Sequence, residues 1–120
     1  MTYDRHRLLV WPEWESSGIW HPSGPVEDPG PVVMVEYESV NLPKNFKDDF
    51  VAWMEWFNEG NAPWEDDNAF LYEEFDKEGL RLAHELANFM AGKYQVDYQG
   101  KVISPLVDLF QSVRQFAFCV

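Results

Sequence analysis

The chain has 120 residues, with 21 acids against nine Lys and Arg and a formal net charge of −12. Its length suits one domain with a single core, and at 46% apolar with six Trp it is too apolar for disorder. The charge disfavours nucleic-acid backbones and anionic membranes, and the single cysteine, Cys119, excludes an internal disulfide framework and a thiolate-rich zinc site.

His6-Arg7-Leu8-Leu9-Val10-Trp11, stopped by Pro12, predicts a first short strand, and Gly18-Ile19-Trp20-His21 a second. Between Pro22 and Pro31 lie four prolines and two glycines, a loop stiffened by fixed φ angles. The run Val32 to Val40 begins β-branched and ends alternating, with Val35, Tyr37 and Ser39 on one side. It is expected to be a third strand, closed by Leu42-Pro43.

The period then changes. Phe46, Phe50, Trp53, Met54 and Phe57 form one stripe of a helix over residues 44–58, with Asn45 as its N-cap and Asp48 and Asp49 in its first turn. Trp56 lies about 80° off the stripe centre, the aromatic this helix's core face explains least. Gly60 and Ala62-Pro63 end the helix. A second runs over residues 68–90 on Leu71, Phe75, Gly79, Leu82, Leu86 and Phe89, flanked by Tyr72, Ala83 and Met90. Gly79 within that stripe predicts close approach of another element, and Gly92 the stop. Tyr94 to Tyr98 alternates as a strand and pairs with Val102-Ile103 across a Gly100-Lys101 turn. Ser104-Pro105 starts a last helix on Leu106, Leu109, Phe110, Val113 and Phe116, with an apolar end expected to dock. The fold expected over residues 1–120 is a single small α+β domain, a short mostly antiparallel sheet packed against two to three helices.

Catalytic signatures are weak. His84-Glu85-Leu86-Ala87-Asn88 has Asn where a zinc-protease helix needs its second imidazole, so His84 is expected on the surface. Ser16-Ser17-Gly18 lacks the nucleophile-elbow pattern, Cys119 sits in apolar surroundings, and Asp66-Asp67-Asn68 lacks a calcium loop's spacing. No cofactor or metal is expected. With 21 acids some carboxylate pair always looks suited to acid–base work, so that pattern has little specificity.

The acids themselves say more. From Asp48 to Asp76 there are ten, and no Lys or Arg interrupts them. A solvated outer face of two helices accounts for some, but unbalanced carboxylates repel one another and ordinary surfaces mix signs. Trp56 and Trp64 stand among Glu55, Glu59, Glu65, Asp66 and Asp67. Trp beside carboxylates suits a face that receives an Arg- and Lys-rich surface. Candidate binding residues are Glu55, Trp56, Glu59, Trp64, Glu65, Asp66, Asp67 and Glu73. Trp11 and Trp14, alternating with glutamates, are a second candidate, one of the two being expected in the core.

Leu9-Val10-Trp11-Pro12-Glu13-Trp14, Gly18-Ile19-Trp20, Leu42-Pro43 before the Trp53 and Trp56 helix, and Phe75 to Ala83 leading to Tyr94-Gln95-Val96-Asp97-Tyr98 carry a resemblance over residues 8–98. In composition and order of elements the chain resembles bacterial immunity proteins of polymorphic and contact-dependent growth-inhibition toxin systems. The resemblance implies a non-enzymatic, cytoplasmic protein whose partner is a cognate toxin domain, often a basic nuclease. The net charge of −12 leads to the expectation of no direct contact with nucleic acid or membrane. No apolar run exceeds five residues, so neither a membrane span nor a signal peptide is expected. The competing expectations are a carbohydrate- or ligand-binding domain or enzyme using carboxylates and Trp, and an adaptor subunit of a larger assembly. A concave pocket lined by several Trp beside a carboxyl of raised pKa would mark the former.

Overall fold

The computed structural model describes residues 2–60 and 72–105. In chain order these form β1 (Arg7–Val10), β2 (Ile19–Pro22), β3 (Val32–Met34), a 3₁₀ turn (Tyr37–Val40), α1 (Lys44–Gly60), α2 (Tyr72–Phe89), β4 (Gln95–Tyr98) and β5 (Lys101–Ile103). The strands make one sheet ordered β3-β2-β1-β4-β5. Every neighbouring pair is antiparallel except β1 with β4. The architecture is the expected α+β one.

β1 lies at the centre of the sheet, and Leu8, Leu9 and Val10 are all buried. A central strand covered on both sides reads as a continuous apolar run, which is why Leu8-Leu9-Val10 does not alternate. Leu8 and Val10 belong to the main core with Ile19, Val96, Tyr98 and Ile103, whereas Leu9 lies on the other face.

The helices cover the core side. Phe50, Trp53 and Met54 of α1 and Phe75, Leu82, Ala83 and Leu86 of α2 are buried there. Gly79 confirms the expected close approach. A Cβ at that position would strike the Tyr98 hydroxyl and come within 2.6 Å of Trp53 Cζ2. Gly92, at φ +84°, follows α2 as its stop.

Several local expectations change. The strand expected to reach Val40 ends at Met34, and Tyr37–Val40 is a 3₁₀ turn. Its side chains explain the switch: Val40 is buried, and the Tyr37 hydroxyl donates to Ser17 O at 2.6 Å while its ring meets Phe50. Asn41, at φ 57°, closes the turn with its N–H on the Glu38 and Tyr37 carbonyls. Pro43 O accepts the first helical bond of α1 from Lys47 N, so Asn45 is inside the first turn rather than at the cap, and Asp48 and Asp49 fall beyond that turn. The β4–β5 hairpin pairs Tyr98 with Lys101, making Gln99-Gly100 the turn. Both have positive φ (51° and 74°), as a two-residue hairpin that matches the sheet twist requires. Phe89 is exposed because the α2 stripe runs from Leu86 to Met90 one helical turn on, and Tyr72 at the start of α2 is exposed too. The start expected for α2 at residues 68–71 and the last helix from Leu106 lie outside the described residues.

Candidate protein-binding face

The last turns of α1 and the first turn of α2 meet around one ring. Phe75 stacks on Trp53 with centroids 4.7 Å apart, takes Trp56 edge-on at 5.1 Å and lies 5.7 Å from Phe57. Trp53 Nε1 donates to Phe75 O at 3.1 Å. Trp56, off the stripe of α1, is therefore half-buried by the neighbouring helix, with part of its indole left at the surface. Aromatic pairs of this kind contribute about 0.5–1.5 kcal/mol each beyond area burial.

Several acids of the uninterrupted stretch find cations that the linear sequence places outside it. Asp48 pairs with Lys44 at 3.0 Å, and Glu73 with Lys77 at 3.7 Å. Arg81 reaches Asp49 at 3.4 Å while also holding Glu78 at 2.7 Å and Glu85 at 2.8 Å. The Arg81 hydrogen bond holds the Glu78 carboxyl below its ordinary range, and the same contact raises Arg81. Glu73 is two residues from Phe75 and so on a different side of α2 from the Trp56 contact.

Glu55 and Glu59 are different. Both are exposed, they stand one turn apart, and neither forms an ion pair among the described residues. The last turn of α1 carries no basic residue. Like charges at this spacing repel, and a carboxylate at a helix C-terminus faces the negative end of the dipole. Both effects oppose folding.

The β1–β2 loop brings further acids to α1, on its Met54 and Asn58 flank. Glu15, at φ 54°, donates its backbone N–H to Asn58 Oδ1 at 3.3 Å, and Asn58 is the neighbour of Glu55 on the next turn. Gly18, at φ +80°, lies so near α1 that a Cβ would be 2.9 Å from Met54 Sδ. Ser17 Oγ and the Tyr37 hydroxyl hold the loop between these points. The loop therefore stands on the Met54 and Asn58 flank of α1, whereas Trp56, two residues from Asn58, is on the flank that meets Phe75. The two candidates that were separate in the sequence stay on opposite flanks of α1, with the exposed Glu55 between Asn58 and Trp56 around the helix. Trp14 is half-buried and Trp11 exposed, so the core tryptophan expected of that pair is instead Trp53. Trp64, Glu65, Asp66 and Asp67 lie outside the described residues.

Compared with known protein families, curated proteins and solved structures, the chain matches none.

Among the described residues, Trp11 is the one tryptophan in the clefts on the helix-free side of the sheet. Glu38 and Glu78 are both held below the usual carboxylate range by their cations, the opposite of what a general acid needs. Among the described residues no group of three His, Cys, Asp or Glu could hold a metal ion, and no helix is long and apolar enough to cross a membrane. His84, expected at the surface, is half-buried with its Nδ1 shielded and without a hydrogen-bond partner.

Proposed function

We propose that this chain is a non-catalytic immunity protein of the cytoplasm that binds and neutralises a cognate toxin domain of cationic surface. The reading rests on one observation above all: Glu55 and Glu59 stand exposed and unbalanced against the dipole of α1, beside the half-buried Trp56. Charges that weaken the free fold are expected where a partner's cations offset them. Trp56, held edge-on against Phe75, offers large, already ordered contact area at small entropic cost. The resemblance read over residues 8–98 supplies the kind of partner, and a nuclease with a basic nucleic-acid groove suits a polyanionic face that occupies the groove.

The test is binding to the toxin encoded by the adjacent upstream gene, measured at several salt concentrations. Tight binding whose on-rate falls steeply with salt is expected, and E55K/E59K should slow association by about tenfold or more. Absence of binding at physiological salt overturns the reading. An on-rate unchanged in E55K/E59K but reduced in E65K/D66K/D67K would move the contact to the acids around Trp64.

A further inference from the structure

On the opposite side of the sheet, away from both helices, the chain builds a second recognition element. Leu9 and Trp11 point from β1 to this side, since Leu8 and Val10 point into the core. The loop after β2 stands beside them as a wall. Its backbone is tied by hydrogen bonds from Ser23 N and Gly24 N to Pro29 O (3.1 and 2.7 Å) and from Asp28 N to Pro25 O (3.1 Å). Ser23 Oγ donates to Pro31 O at 2.7 Å. Gly24 is required there because a Cβ would strike Asp28 O.

The wall is fastened to the sheet by a charge. Asp97 is only 1% exposed, and Arg7 bonds its Oδ2 through Nε at 3.0 Å and Nη2 at 2.8 Å, while Gln95 satisfies Oδ1 at 2.9 Å. The remaining guanidinium nitrogen, Nη1, donates to Gly24 O at 2.7 Å. Between wall and sheet lies a groove of about 330 Å³ lined by Leu9, Trp11, Val26, Glu27, Pro29 and Gly100. A smaller cleft of about 180 Å³ continues it past Gly30 and Val32. Trp11 is 47% exposed and Glu27 is exposed, the one charged residue among the described residues of the lining.

We infer that this groove receives an arginine side chain from an extended segment of a partner protein. The apolar floor accepts the alkyl stem, the Trp11 ring offers a face on which a planar guanidinium stacks, and the Glu27 carboxylate supplies the opposite charge. Lysine satisfies the charge but neither the stacking nor the paired hydrogen bonds. The tied loop means that little ordering remains to be done on binding. The inference does not depend on the acidic end of the helical layer, which lies on other elements.

The experiment is an NMR titration of the full chain with acetyl-Gly-Arg-Gly-amide, following the six Trp indole resonances and the Gly30 and Gly100 amides. Saturable shifts at Trp11, Gly30 and Gly100 are expected, with affinity falling by about tenfold or more in E27Q and for the norleucine and lysine peptides. W11A should abolish the saturable response, and unchanged Gly92 and Gly79 amides in that variant report that the fold is intact. The inference is overturned if E27Q binds as tightly as the parent, if the norleucine or lysine peptide matches the arginine peptide, or if the shifts centre on Trp56 instead.

Discussion

On its helix-covered side the sheet presents Leu8, Val10, Ile19, Val96 and Ile103 to Phe50, Trp53, Phe75 and Leu82. On its open side it presents Arg7, Leu9, Trp11 and Asp97 to a loop rich in proline. The first region gains from apolar burial at roughly 25 cal/mol per Å² and from aromatic contacts, which are non-directional and tolerate small shifts. The second is held by directed bonds and fixed φ angles around one buried carboxylate. Burial builds a core that a partner never sees, whereas directed bonds hold a surface in shape without covering it.

Substitutions at the two faces sharpen the contrast. The largest effect is expected at Arg7. Arg7→Met leaves Asp97 buried without its cation, at a cost of about 3–5 kcal/mol in urea unfolding. It also frees the loop at Gly24, so the Gly30 amide should lose protection from hydrogen exchange before the core does. A loss below 1 kcal/mol would mean that the pair is not structurally central. On the covered side, Gly79→Ala should cost about 1–3 kcal/mol despite alanine's better helix propensity, because its methyl meets Tyr98 and Trp53. A stabilised variant would contradict the close approach.

The next effect is in pH. Burial, aided by the Glu36 and Glu38 charges, pushes Tyr37 up to about 12, and burial near Asp76 raises Tyr98 further. A tyrosine whose folded pKa lies above its unfolded value favours the folded state fully below the unfolded value, near 10. That contribution is lost as pH rises toward 12. Denaturation midpoints should therefore decline over that window and decline less in Tyr37→Phe, whereas a parallel decline would exclude Tyr37 as the source. The smallest effect is expected at Glu59, where Glu59→Lys should raise stability by about 0.3–1 kcal/mol by matching the helix dipole. Loss of stability there would show that the carboxylate serves the free fold, and would remove the main support for a docking role.

Much of the architecture was legible before any coordinates. Two helices, the strands at Arg7, Ile19 and Gln95, and the crowded Gly79 follow from periodicity and from one small residue within an apolar stripe. The 3₁₀ turn at Tyr37 was not, because alternation of Val35, Tyr37 and Ser39 fits a strand equally well until Tyr37 finds Ser17 and Phe50. The acidic face was half legible. Its excess charge is plain, but Arg81 beside Asp49 and the Glu15 bond to Asn58 join residues far apart along the chain. Trp56 marked itself by its angle on the helix, yet what covers part of it is Phe75 of another helix.

Composition and spacing alone therefore determined the α+β class, the two apolar helical stripes and the surplus of negative charge, since these depend on neighbours within a turn or a pleat. Tertiary structure decided which acids remain unbalanced, that Phe75 covers part of Trp56, and that Arg7 ties the proline loop to Asp97. Those outcomes depend on distances between residues that only folding brings together, and electrostatic and hydrogen-bond energies are set by such distances rather than by order along the chain.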